Sequence, residues 1–218
     1  MTTAEHVEPD IIGMRLAHRV MLRDLRRTAE VAQAISAGRV AATPRRTRAL
    51  ATYLELLAES VHHHHAAEDD ILWPVIEKRA GGHIDLTELS DDHSVLDPKL
   101  ARLREAARAL ATAPDSEDAA AALALQLAQL RDLLEEHIAE EERDVFPVIL
   151  RYLSVGDWAE VEAQVRRNGR LSFELPRIAD ACTPEELATL KKTAGPVIVL
   201  MLAIVRRPYR RLERAIWA

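Results

Sequence analysis

Apolar residues recur every three or four positions along most of the chain, which is the period of an amphipathic helix. Ile11, Met14, His18, Met21, Leu22 and Leu25 share one stripe and predict a first helix from near Asp10 to a stop at Gly38. Thr43 as N-cap and Pro44 at the first helical position open a second helix, carried through Tyr53, Leu57, Val61 and His64 to about Arg79, before Gly81-Gly82. A third helix starts near Thr87 with Leu89, His93, Leu96, Leu100 and Leu103 on neighbouring faces, and Pro98 is expected to bend it. After a loop around Thr112 to Ser116, Leu123, Leu127, Leu130, Leu134, His137, Glu141 and Val145 define a fourth helix from about Glu117 to Leu153. Pro74 and Pro147 are expected to kink the second and fourth helices alike. Beyond them, Asp157 can cap a helix through Asn168, Thr183-Pro184-Glu185-Glu186 reads as a helix start, and a last helix follows Pro196, apolar to Val205 and then arginine-rich to Arg214. The apolar part of that last helix is expected to pack on the others.

Composition supports the same picture. With 48% hydrophobic residues and only seven glycines, the chain can bury a core and has few helix breakers. The expected architecture is all-α: a tail over residues 1–9, an up-and-down four-helix bundle over 10–154 and a C-terminal helical extension over 155–218. A formal charge of -6 argues against a nucleic-acid partner, which would need a basic face. A single cysteine, Cys182, gives neither a disulfide framework nor a thiolate metal cluster and points to a reducing cytoplasm. The acidic N-terminus does not resemble a signal peptide, and the longest apolar run, Pro196 to Val205, is far short of a membrane span of ~20 residues.

The candidate chemistry lies in a repeat. His62 to Ile76 (HHHHAAEDDILWPVI) and Glu135 to Ile149 (EEHIAEEERDVFPVI) align in register with His64 on His137, Glu68 on Glu141, Trp73 on Phe146 and Pro74 on Pro147. In a helix, His-x-x-x-Glu puts an imidazole and a carboxylate on one face, one turn apart. His18 and His93, each on the preceding helix of its pair, complete two similar halves, so two αα-hairpins packed antiparallel would bring six side chains to one axis. Four imidazoles and two carboxylates exceed what one tetrahedral zinc needs, whereas two metals would use them well, with the carboxylates bridging and positions left for a small ligand. Iron suits this nitrogen and oxygen set, with manganese the second choice.

His18, His64-x-x-x-Glu68, His93 and His137-x-x-x-Glu141, with an aromatic-proline pair after each second motif, resemble the hemerythrin-like, or HHE, cation-binding domain over about Asp10 to Leu153. The resemblance implies a non-haem di-iron centre, oxo- or hydroxo-bridged, with Glu68 and Glu141 as bridging carboxylates. Oxygen-carrying hemerythrins have a further histidine one turn after the third-helix ligand. Here that position is Asp97, followed by Pro98, and His65 or Asp97 could supply the extra ligand. Because family members outside the oxygen carriers handle such ligands, the resemblance implies binding of, or reaction with, dioxygen, nitric oxide or peroxide, with oxygen- or peroxide-reducing activity as the enzymatic form. The altered position argues against bulk oxygen carriage. The alternative is an iron, oxygen or redox sensor whose C-terminal extension signals to a partner without turnover.

Plainer readings stand beside these. The histidines could be core packing in a metal-free helical module. His62 and His63 cannot face inward together with His64 and His65, and Asp69, Asp70, Glu140 and Glu142 read as a solvated face. Trp73 and Phe146 read as core plugs, Tyr53 lies three turns from His64 and so is too far to be a ligand, and Cys182 reads as a buried inert thiol. The arginines between Arg206 and Arg214 read as a solvated helix end. The oligomeric state is not readable from these features.

Overall fold

The computed structural model describes residues 7–218, apart from the side chains of Asn168, Thr193 and Ala194. Its helices are α1 (Ile12–Ser36), α2 (Pro44–Ala67), α3 (Trp73–Ala80), α4 (Thr87–Thr112), α5 (Glu117–Tyr152), α6 (Val155–Asn168), α7 (Leu171–Ala181) and α8 (Pro184–Trp217). A π-helical turn, Glu68–Leu72, joins α2 to α3, and no strand occurs among the described residues. The polar residues flanking the apolar runs act as caps. Thr43 accepts from the Arg46 amide at 3.2 Å and Ser116 from the Ala119 amide at 3.1 Å. Gly38 and Gly81, with φ of 68° and 56°, end their helices in a backbone region that disfavours side chains.

Helices α1, α2, α4 and α5 form the bundle, α1 packing on α5 and α2, and α4 on α2 and α5. Two apolar clusters fill it. The larger contains Leu25, Leu54, Leu57, Leu100, Leu103 and Leu130. The smaller, at the other end, contains Met14, Leu72, Trp73, Leu89, Val145 and Phe146. Each candidate ligand falls between residues of the two clusters on its own helix: His18 between Met14 and Met21, His93 between Leu89 and Leu96, His137 between Leu134 and Val145. The site is thus a polar layer between two apolar plugs.

The proline expectations divide. The π turn sits just before Pro74, whose ring would clash with the Asp70 carbonyl in a regular α-helix, and the Trp73 amide instead bonds Glu68 O five residues back. In contrast, α4 and α5 continue as helix through Pro98 and Pro147. Only the first copy of the repeat is interrupted.

The extension also differs from expectation. Ser154 caps α6, with Asp157 completing a reciprocal capping box from the third position, and α7 was not foreseen as a helix. Thr183 caps α8 as expected, and α8 is broken at Gly195 (φ 75°), so that its second half does begin at Pro196. That half packs more tightly at its arginine-rich end than along its apolar stretch, where Ile198 and Leu202 are only part-buried. Tyr209 and Ile216, in the arginine-rich end, join the bundle core, whereas Val197, Leu200 and Ile204 remain 67%, 63% and 64% exposed. The arginines interleaved with the packed residues turn outward into ion pairs: Arg206 and Arg210 both meet Asp180, at 3.1 and 2.9 Å.

A buried ion pair anchors α7 to the bundle. Arg177 Nε donates to Asp24 Oδ2 at 2.7 Å, both side chains being inaccessible to solvent. Tyr53 donates to the same oxygen at 2.7 Å, and Arg177 Nη1 donates to Ser60 Oγ at 3.0 Å. Burial alone would raise the Asp24 carboxyl, but the Arg177 and Arg23 guanidiniums and the tyrosine bond hold it below its ordinary value. Burial alone would lower Arg177, but Glu174 and Asp24 hold it above its own. Tyr53 therefore serves this network and lies away from the histidines.

Candidate metal centre

The fold brings His18, His64, Glu68, His93, His137 and Glu141 together and adds His65. Their donor atoms form two groups, each with all atoms within 4.8 Å of one another: His18, His64, Glu68 and Glu141 in one, and His65, Glu68, His93 and His137 in the other. Glu68 belongs to both. Asp97 is elsewhere: its side chain is 65% exposed and pairs with the equally outward His62 at 2.7 Å, so it does not reach the cluster.

The ring orientations follow from hydrogen bonding. His18 Nδ1 bonds Glu142 Oε1 at 2.9 Å and His137 Nδ1 bonds Asp92 Oδ2 at 3.3 Å, while His93 Nδ1 faces Asp69 Oδ1 at 2.9 Å as an ion-pair contact without hydrogen-bond geometry. His65 Nδ1 donates to the Val61 carbonyl at 2.7 Å. Because carboxylates and carbonyls only accept, these partners favour the tautomer with the proton on Nδ1, which turns a bare Nε2 inward. The paired nitrogens lie close: His93 Nε2 to His137 Nε2 is 3.1 Å, and His18 Nε2 to His64 Nε2 is 3.1 Å. Two lone pairs facing at that distance repel unless a cation lies between them. Two nitrogens bound at right angles to one ion at ~2.1 Å would be about 3.0 Å apart.

The buried polar atoms fit a cation in the same way. His65 Nε2 and all four oxygens of Glu68 and Glu141 are buried with no hydrogen-bond partner. Such atoms are rare in native structures, because each carries a desolvation penalty of about 1–3 kcal/mol or more. Burial pushes the Glu68 carboxyl up to about 8, and burial together with the neighbouring Glu68 pushes Glu141 well above the usual carboxylate range. Burial lowers His64 and His137 to about 4 and His65 well below its ordinary value. All these directions describe a pocket that disfavours protons on its imidazoles and bare charge on its carboxylates. Multivalent cations resolve both.

The two halves of the repeat support each other crosswise. Phe146 stacks on His18 with ring centroids 5.5 Å apart, and Trp73 stacks on His93 at 6.0 Å. Glu142 and Asp69, which occupy matching repeat positions, hold these same two histidines. Asp69 and Glu142 are therefore more than the solvated face expected of them, and Asp92 was not singled out at all. Symmetry fails at His65, whose counterpart in the second copy is the buried Ile138. One group thus has three imidazoles and the other two.

A four-helix bundle with two buried, carboxylate-linked histidine clusters offers donor groups that could hold metal cations. The family model for the hemerythrin HHE cation-binding domain matches residues 11–149, and the chain belongs to that family. No curated protein and no solved structure matches the chain.

Proposed function

We propose that this protein holds a non-haem di-iron centre that binds or reacts with dioxygen, nitric oxide or peroxide. The observation that carries the reading is the set of buried, unpartnered donors on His65, Glu68 and Glu141, facing the Nε2 atoms of His18, His64, His93 and His137. The mixed nitrogen and carboxylate set suits iron, with manganese second. Iron bound there would supply one-electron redox change and open positions for a small ligand.

The protein residues have separate tasks. Glu68, shared by both groups, links them, while Glu141 completes the group with two histidines. Asp69, Asp92, Glu142 and the Val61 carbonyl favour the ring protons on Nδ1, which fixes ring orientation and makes Nε2 a better donor. Trp73 and Phe146 close the smaller-cluster end against water. His64 is the most accessible candidate ligand, its side chain 15% exposed against 1% for His18 and 4% for His93, so small ligands approach on its side.

The test is metal content by plasma mass spectrometry with an optical spectrum in air. About two irons per chain and oxo-to-iron charge-transfer bands are expected. Protein that remains metal-free after anaerobic iron reconstitution refutes the reading. A sensor is the second reading, favoured by the contact of the extension with the site: α6 packs on the π turn, and its Val165 carbonyl accepts from His63 at 3.2 Å. It requires that iron loading protect residues 155–218 from protease.

A further inference from the structure

A half-open chamber of about 400 Å³ lies between α1 and α2 on one side and α6, α7 and α8 on the other. That volume lies within the ~300–1,000 Å³ range of small-molecule pockets. Met14, Met21, Leu72, Trp158, Val161 and Ile198 contribute to walls that are predominantly apolar. His64 and Glu68 also line it, so the more open side of the candidate metal centre faces the chamber.

Apart from the Glu68 carboxyl at its inner end, the charges around the chamber largely cancel. Arg166 pairs with Glu162 at 3.2 Å, Arg177 with Glu174 at 3.0 Å, and His63 meets the Val165 carbonyl. Lys191, an exposed residue of α8 on the chamber lining, has no ion-pair partner among the described residues. An apolar cavity with one unmatched cation at its exposed edge suits an apolar chain carrying one negative charge.

We propose that the chamber binds a medium-chain monocarboxylate, with its carboxylate at Lys191 and its hydrocarbon chain directed towards His64 and Glu68. The site depends on the packing of the extension rather than on metal, and only the approach of the chain to a reactive centre rests on the proposed function above. The probes are octanoate, decanoate and dodecanoate, titrated calorimetrically into the full chain with and without iron. Affinity is expected to rise about fourfold per methylene, in both metal states, and decylammonium is expected to bind at least tenfold more weakly than decanoate. Leu190→Trp, which fills the chamber from α8, is expected to abolish decanoate binding at unchanged helicity and metal content. Lys191→Glu, at an exposed position, is expected to weaken decanoate at least tenfold and to bring decylammonium level with it. Absence of binding in both metal states would overturn the proposal, as would affinity independent of chain length or unchanged in Lys191→Glu. Binding that needs iron and ignores chain length would mean that the carboxylate simply coordinates metal, which also overturns it while leaving the metal reading intact.

Discussion

Replacing Arg177 with methionine tests how the extension is held to the bundle. The substitution keeps much of the aliphatic volume and removes a guanidinium that is inaccessible to solvent and bonded to Asp24 at 2.7 Å. Breaking a buried ion pair from one side costs about 3–5 kcal/mol, because the remaining charge stays buried. Asp24 would keep Arg23 at 2.8 Å and the Tyr53 hydroxyl, which places the expected loss near the lower end, about 3 kcal/mol. With a urea m-value of ~2–3 kcal/mol/M, the midpoint should fall by about 1–1.5 M. The assay is urea unfolding followed by far-ultraviolet dichroism and tryptophan fluorescence, on metal-free protein so that ligation does not mask the change. Asp24→Leu in the Arg177→Met background should recover part of the loss, since it removes the stranded carboxylate but leaves the part-exposed Arg23 and the buried Tyr53 hydroxyl without their acceptor. The pH dependence has a defined sign. Asp24 is held below its ordinary value, so the pair's contribution is complete above about pH 4 and fades as pH falls through the native value. A loss under 1 kcal/mol for Arg177→Met, or equal effects of Asp24→Leu in the parent and in the Arg177→Met chain, would refute the reasoning.

Two further predictions concern the centre. His65→Ile installs the residue that the second copy has at Ile138, removes one of three imidazoles from its group, and should lower iron content from about two to about one per chain with little change in helicity; two irons retained would remove His65 from the ligand set. Glu142→Gln and Asp69→Asn leave every candidate ligand in place but weaken the fixing of His18 and His93, and each should reduce metal affinity roughly 10–100-fold in chelator competition; unchanged affinity would make these carboxylates surface groups after all.

The bundle and six members of the cluster were legible because both obey helical periodicity, which a linear pattern records directly. His18 stood in an apolar stripe where an unpaired imidazole is costly, and the aligned His-x-x-x-Glu motifs tied two distant helices to one point. His65 was ambiguous because neighbours on a helix differ by ~100° in direction, and packing alone decides whether both can turn inward. The carboxylates behind the rings looked solvated since each is part exposed, Asp69 and Glu142 both at 37%, and function comes only from the ring across the helix interface. Arg177 was not readable, because its partner Asp24 lies 153 positions earlier and neither belongs to a motif. The misplaced packing of α8 has a similar cause. Its most apolar segment is not its most buried one, and periodicity does not say which surface will meet it.

The π turn at Glu68–Leu72 makes the centre mechanically lopsided. Glu141 sits within α5, which continues as α-helix on both sides of it and through Pro147, whereas Glu68 begins a π-helical turn of wider winding just before Pro74. Of two carboxylates at equivalent repeat positions, one is mounted on a stiff rod and the other on a compliant joint. A ligand approaching on the proposed His64 side would meet this turn at Glu68, the carboxylate both groups share. A gene-level duplication would by itself yield two interchangeable half-sites; this joint, together with His65, gives the pair a yielding end and a fixed end.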